Sequence, residues 1–338
     1  MDPEQFFTAS GVIIVAGKGG VGKTAVTAAM AMAASMSGVR TLVVEVEGKS
    51  GLASLFESPD FTYHDLRLVE PSEVHAGITA RTLTPDDALL DYLRDHGLQR
   101  ISKRLVSSGA VDLVSTAVPG IRDILVLGKV KQLERSGEFD LILLDAPAAG
   151  HAISFLRSAS GLADAVKVGP INAQAVDVLE LLHDPQRCRV MLVTSPEETP
   201  VNELIETAYD LEDEVGVALG PVVINGVFPE LEGLSVAPAR AAAEAEAALE
   251  PGEAALLEAS SEFRSARTAL QRTQLERMAH ELPLAQLRLP YLFTSDLGRL
   301  ELDLLAERML SGVEALPDHR SPDHRSPDHR GPDGASTS

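Results

Sequence analysis

The apolar positions of this chain come in short blocks separated by longer stretches of helical spacing. Val12-Ile-Ile-Val15 is a compact β-branched run, the pattern of a strand buried on both faces. Thr41–Val46, Phe139–Leu144, Arg189–Val193 and Pro221–Ile224 repeat that pattern and complete five predicted strands. Between them Ala25–Met36, Ile121–Arg135, Asn172–His183 and Glu198–Glu214 read as helices. Such alternation implies right-handed crossovers and a mostly parallel sheet covered by helices on both faces, an α/β fold. Two regions break the rhythm. Thr84–Ser107 has helical spacing (Leu89, Leu90, Leu93, Leu98, Ile101, Leu105), with Pro85 suited to a first turn. It predicts a small helical insertion over about 84–122. Arg240–Leu282, rich in Ala and Glu, predicts two helices interrupted at Pro251-Gly252. Met1–Ser10 predicts a frayed, flexible start. Residues 313–338, with three Pro-Asp-His-Arg repeats and almost nothing apolar to bury, predict a disordered tail. One domain, 11–312, lies between.

Composition narrows what such a domain does. Its 338 residues, 45% of them hydrophobic, suffice for a large core. Lys and Arg number 29 against 50 Asp and Glu, a net charge of −21. Sixteen of the acids fall in two runs, Glu197–Glu214 and Glu230–Glu262. A field of this sign repels phosphate backbones and speaks against nucleic acid as a partner. The two runs read as solvated helix faces or as an acidic docking face. No stretch approaches the ~18 consecutive apolar residues of a membrane span, and the acidic start lacks the features of a secretory signal. Cytoplasmic location without membrane insertion is the expectation. The single Cys188 rules out an intrachain disulfide or an intrachain CxxC metal clamp.

The strongest chemical signal is Gly17-Lys18-Gly19-Gly20-Val21-Gly22-Lys23-Thr24, which satisfies GxxxxGK[ST] between a predicted strand and a predicted helix. Glycines let such a loop curl its N–H groups around an anion, and the following helix points its positive end at the same phosphates. In this reading Lys23 sits between the β- and γ-phosphates of ATP or ADP, and Thr24 places its hydroxyl on Mg²⁺. Asp145 ends the apolar run Leu141–Leu144, the position of a second, water-mediated Mg²⁺ ligand. In the following Asp145-Ala-Pro-Ala-Ala-Gly-His151, Gly150 is placed to offer an N–H to the γ-phosphate. Glu47, at the end of the second strand, is the candidate for orienting an attacking water, with Glu45 its rival on the same strand face.

Lys18, just after the first glycine, is superfluous to an ordinary phosphate loop. The Gly-Lys-Gly-Gly-x-Gly-Lys-Thr form resembles the deviant Walker A of a dimerising ATPase class, in which this lysine reaches across to the partner's phosphates. With Asp145–His151, Pro119-Gly-Ile-Arg-Asp123 and Val223-Ile-Asn-Gly226, the chain resembles the ArsA family. That family contains arsenite-pump ATPases and ATPases that target tail-anchored membrane proteins. The resemblance covers roughly Val12 to Gly312 and points to an actinobacterial Get-like A subgroup. It implies a P-loop ATPase that binds ATP or ADP with Mg²⁺, hydrolyses ATP, and switches conformation as a homodimer or as a heterodimer with a related ATPase chain; the longer Glu47 in place of the family Asp points to slow turnover. It implies further that Lys18 acts in trans, that Asn225 reads adenine, and that Pro290 belongs to a late adenine loop, Leu289–Phe293.

Departures from the family restrict the cargo. Glu47-Gly-Lys-Ser50 stands where the family has Asp-Pro-Ala-His, and switch II keeps Asp145, Gly150 and His151 but shifts the proline. One cysteine cannot bind As(III) through several thiolates. The zinc-clamping CxxC of the targeting members is absent, and no methionine falls in Thr84–Ser107. A protein client of another kind remains, and so does a nucleotide-bound scaffold subunit that hydrolyses little and serves a catalytic partner chain.

Overall fold

The computed structural model describes residues 1–46, 51–95, 97, 100, 120–146, 149–234, 236–245, 247–294 and 296–317. Among these, eight strands form one sheet: β1 Val12–Gly17, β2 Thr41–Val46, β3 Leu66–Val69, β4 Ile78–Leu83, β5 Leu141–Asp145, β6 Cys188–Thr194, β7 Val222–Val227 and β8 Gln286–Pro290. Their order is β3-β4-β2-β5-β1-β6-β7-β8, parallel throughout except for the antiparallel edge strand β3. The chain winds outward from β1 to β2 and β4, returns to β5 between β1 and β2, and then builds β6 to β8 on the other side. The crevice where the winding reverses, at the carboxyl end of β1, is where parallel α/β sheets bind ligands.

The described helices are α1 Pro3–Thr8, α2 Lys23–Met36, α3 Gly51–Leu55, α4 Pro85–Asp95, α5 Ile121–Ser136, α6 Ala149–Ala165, α7 Pro170–Leu182, α8 Glu198–Asp210, α9 Pro238–Glu244, α10 Glu253–Glu281 and α11 Arg299–Glu314. Strand alternation sorts the core into two faces. Ile13, Val15, Val43, Leu141, Leu143, Met191 and Val223 point toward α2 and α11. Val12, Ile14, Leu42, Val44, Ile142, Leu144, Val190 and Ile224 point the other way, under α5 to α8 and the end of α10. In α2, Ala28, Ala29, Ala31, Ala33 and Ala34 are all buried, so the helix lies close between the sheet and α11. Among the described residues, no helix is long and apolar enough to cross a membrane.

Several expectations change. Residues 3–8 are not frayed: Asp2 caps α1 by accepting the Gln5 N–H at 2.9 Å, and Phe6 and Phe7 anchor the helix in the core. Three strands escape the periodicity. The segment 198–214 is α8 followed by one π turn, Leu211–Val215, closed by the left-handed Gly216. Leu289–Phe293 is half strand and half loop, because Leu287 and Leu289 are buried on the sheet face while Arg288 alternates outward. In the insertion, α4 ends at Asp95. Residues 101–119, Pro119 included, and the repeats containing His319, His324 and His329 lie outside the described residues.

Candidate functional site

The site grows from the carboxyl ends of β1, β5 and β2. Gly22 sits just before α2 with φ 86°, a left-handed turn that starts the helix directly behind the loop. A side chain there would also run into Asn225 Nδ2. Asn225 donates that amide N–H to the Val21 carbonyl at 3.0 Å, which fastens the end of β7 to the loop. Lys23 Nζ donates to the Lys18 carbonyl at 3.0 Å, folding its ammonium back over the loop Gly17–Gly22. Lys18, Gly19 and Gly20 form the outward rim, while Val21 is buried beneath it.

Below the loop, the Thr24 hydroxyl donates to Asp145 Oδ2 at 3.0 Å across 121 residues of sequence. The register makes this meeting inevitable: Val15 lies opposite Asp145, and Asp145 lies opposite Glu45 on the far side. Both carboxylates are 2% exposed. Glu45 Oε1 accepts the Leu52 N–H at 3.2 Å, so it ties the first turn of α3 to the site. A Cβ at Gly51, one residue earlier, would lie 3.2 Å from the Thr24 methyl, so the backbone there passes close to Thr24. Two carboxylates buried side by side favour a cation. A hydroxyl and a carboxylate at hydrogen-bond distance are hard oxygen donors of the kind Mg²⁺ takes, with phosphate and water filling its other positions. The residues present therefore fit the metal that the motif implies, through Thr24 and Asp145. Among the described residues no group of three His, Cys, Asp or Glu forms a self-sufficient metal cage.

The other predicted positions fare differently. Gly150 stands in the first turn of α6, next to the end of β5. Glu47 lies outside the described residues, while its rival Glu45 is inside the site. Pro290 ends β8 opposite Val227, and the Tyr291 N–H donates to the Val227 carbonyl at 2.8 Å. That contact brings the late loop to the same edge as Asn225.

Two features were missed by sequence reasoning. Phe228, Tyr291 and Phe293 form an aromatic cluster with ring centroids 4.8–5.6 Å apart, and Arg264 of α10 lies 4.6 Å from the Phe228 ring. The aromatic pair Tyr291 and Phe293 was visible in the late loop; Arg264, on a distant helix, gave no signal. The second is the partner of Lys18. Its ammonium pairs with Glu203 of α8. Through Glu203 the acidic run Glu197–Glu214 thus reaches the glycine-rich loop. Both side chains are partly exposed, so the pair is worth at most about 1 kcal/mol and is easily exchanged.

A parallel sheet with a glycine-rich loop running from its central strand into a buried helix, and a strand-end carboxylate beneath, defines a P-loop NTPase fold. The pattern of the anion-transporting ATPase family matches residues 10–170. The chain is 34% identical over 223 residues to ATPase BagA of Mycobacterium tuberculosis, a match covering 64% of this chain and 65% of that protein. It is 28% identical over 258 residues to an arsenical pump-driving ATPase of Acidiphilium multivorum, covering 68% and 40% of the two chains. Over 241 residues it is 28% identical to one from Escherichia coli, covering 64% and 39%. The chain therefore spans just under two thirds of the mycobacterial relative and about two fifths of the pump-driving proteins. It is similar to the ArsA-like family of ATPases, with the family pattern confined to residues 10–170.

Proposed function

We propose that this chain binds ATP with Mg²⁺ at Gly17–Thr24 and hydrolyses it, and that the nucleotide state sets the arrangement of the loops after β2 and β5. The observation that carries the reading is the Thr24–Asp145 hydrogen bond directly under the loop. Lys23 and the amino end of α2 would meet the phosphates. Mg²⁺, held by the Thr24 hydroxyl and, through water, by Asp145, would neutralise phosphate charge. Glu45 supports the switching part of the proposal: through Leu52 it couples the segment after β2 to the site. Glu47 is proposed to orient water. Asn225 would read the adenine edge, with Pro290 and the Tyr291 loop flanking the base.

Lys18 is proposed to leave Glu203 and reach the phosphates of a dimer partner, either a second copy or a related ATPase chain, and a protein client would read the switch. Lys23→Ala should weaken ATP binding at least tenfold and abolish turnover. Normal affinity and turnover in that variant would end the proposal. A second reading, a nucleotide-bound scaffold subunit, is favoured by the hold of Glu203 on Lys18 within one chain. Single-turnover hydrolysis by the purified chain separates the two: a rate equal to that of the Lys23→Ala background supports the scaffold.

A further inference from the structure

The last turn of β7 is irregular in a way that serves the base side of the nucleotide. Between Ile224 and Val227 the register against β8 shifts, and Gly226 adopts φ 75°. A bulge of this kind re-aims a side chain and leaves backbone groups outside the ladder. Here it brings Asn225 against the phosphate loop. The displaced backbone groups are met by one side chain, Gln271 of α10. The Gln271 Oε1 accepts the Phe228 N–H at 2.8 Å, and its Nε2 donates to the Gly226 carbonyl at 3.2 Å. Gln271 is 3% exposed, although it stands on a helix whose amino-terminal half is largely solvated. A carboxamide offers both a donor and an acceptor at this reach; a carboxylate lacks the donor, and a thioether offers only a weak acceptor.

We infer that Gln271 is a positioning residue for nucleobase selection: it pins the Gly226 bulge, and the bulge fixes the Asn225 carboxamide in one orientation. The inference rests on the nucleotide reading above. Asn225 has already committed one N–H to Val21. The amide cannot then flip without losing that bond. Its second N–H and its oxygen form a donor–acceptor pair that suits adenine, which presents an amino group beside a ring nitrogen. Guanine presents an oxygen where adenine has the amino group, and a fixed amide would set two oxygens against each other. If the bulge is released, Asn225 is free to turn and the preference falls.

The test measures binding of MgATP, MgGTP and inorganic tripolyphosphate to the full chain and to Gln271→Met and Gln271→Glu. For Gln271→Met the expected result is roughly tenfold weaker ATP binding, a several-fold smaller preference for ATP over GTP, and tripolyphosphate binding within twofold of wild type. In turnover, KM rises while kcat holds. Gln271→Glu, which keeps the acceptor for Phe228, falls between wild type and Gln271→Met; it carries the comparison alone should the methionine variant fail to fold. Because Gln271 acts through Asn225, adding Asn225→Ala to Gln271→Met should cost little more than Asn225→Ala alone. An unchanged ATP-to-GTP ratio, an equal loss of ATP and tripolyphosphate binding, or additive effects with Asn225→Ala would each overturn the inference. Failure of the wild type to bind any of the three probes would overturn the nucleotide reading and this inference with it; tripolyphosphate binding without base preference would overturn only the inference.

Discussion

Glu45 and Cys188 show how differently two buried groups behave at the scale of single residues. Glu45 is buried beside Asp145, and its side chain accepts the Leu52 N–H. Cys188, fully buried at the start of β6, has no such surroundings, and burial pushes its thiol up to about 12. It should therefore be inert to a thiol reagent at pH 8 in the native protein and react only as fast as the chain opens. Labelling at rising urea, followed by mass, checks this; rapid labelling without denaturant would contradict the packing. The place of the Gly17–Thr24 loop between a strand and a helix was legible because its residues are contiguous. Gln271 was not, because a polar residue on a predicted helix looks the same whether it faces solvent or a bulge. Glu203 was read only as part of a charge run, since no sequence spacing places it near Lys18.

At the scale of elements, the Ala-rich α2 sets the tolerance of the fold. It is held between the sheet and α11, where Leu302, Ala306, Met309 and Val313 are fully buried. Met309→Ala should cost about 2–5 kcal/mol, because the closely packed, alanine-rich α2 can only partly refill the gap. A shift of the urea midpoint with unchanged slope is the expected sign; no shift would mean the interface relaxes. The parallel strands that flank the loop were legible as apolar runs. β3 and β4 were not: β3 is a four-residue edge with alternating exposure, and Arg81 in β4 is paired with Asp65 rather than solvated. α6 was hidden for another reason. It begins at Ala149, within the glycine- and proline-containing segment Asp145–His151, and Ser158 and Ser160 dilute its apolar face.

Across the whole molecule, acid is the relevant stress. The Arg40 hydrogen bonds hold the Asp140 carboxyl below the ordinary range. Burial pushes Asp91 up, but its bonds to Lys129 and Tyr63 outweigh that and leave it below its usual value. For a carboxyl depressed in the folded state, the unfolded chain takes up protons first. The stabilisation is complete above the unfolded value of about 3.9 and is lost as pH falls through the folded value. Melting temperature should accordingly decline below about pH 4, and Asp140→Asn should flatten that decline. An unchanged profile in the variant would remove Asp140 from the account.

The hydrogen bond from Thr24 to Asp145 also has a meaning in time. During synthesis at ~5–20 residues per second, the 121 residues between its ends take about 6–24 s to emerge. For that interval the phosphate loop exists without the carboxylate beneath it. The nascent chain must pass through this stage as a half-sheet whose central strand β1 still lacks both of its neighbours, β5 and β6.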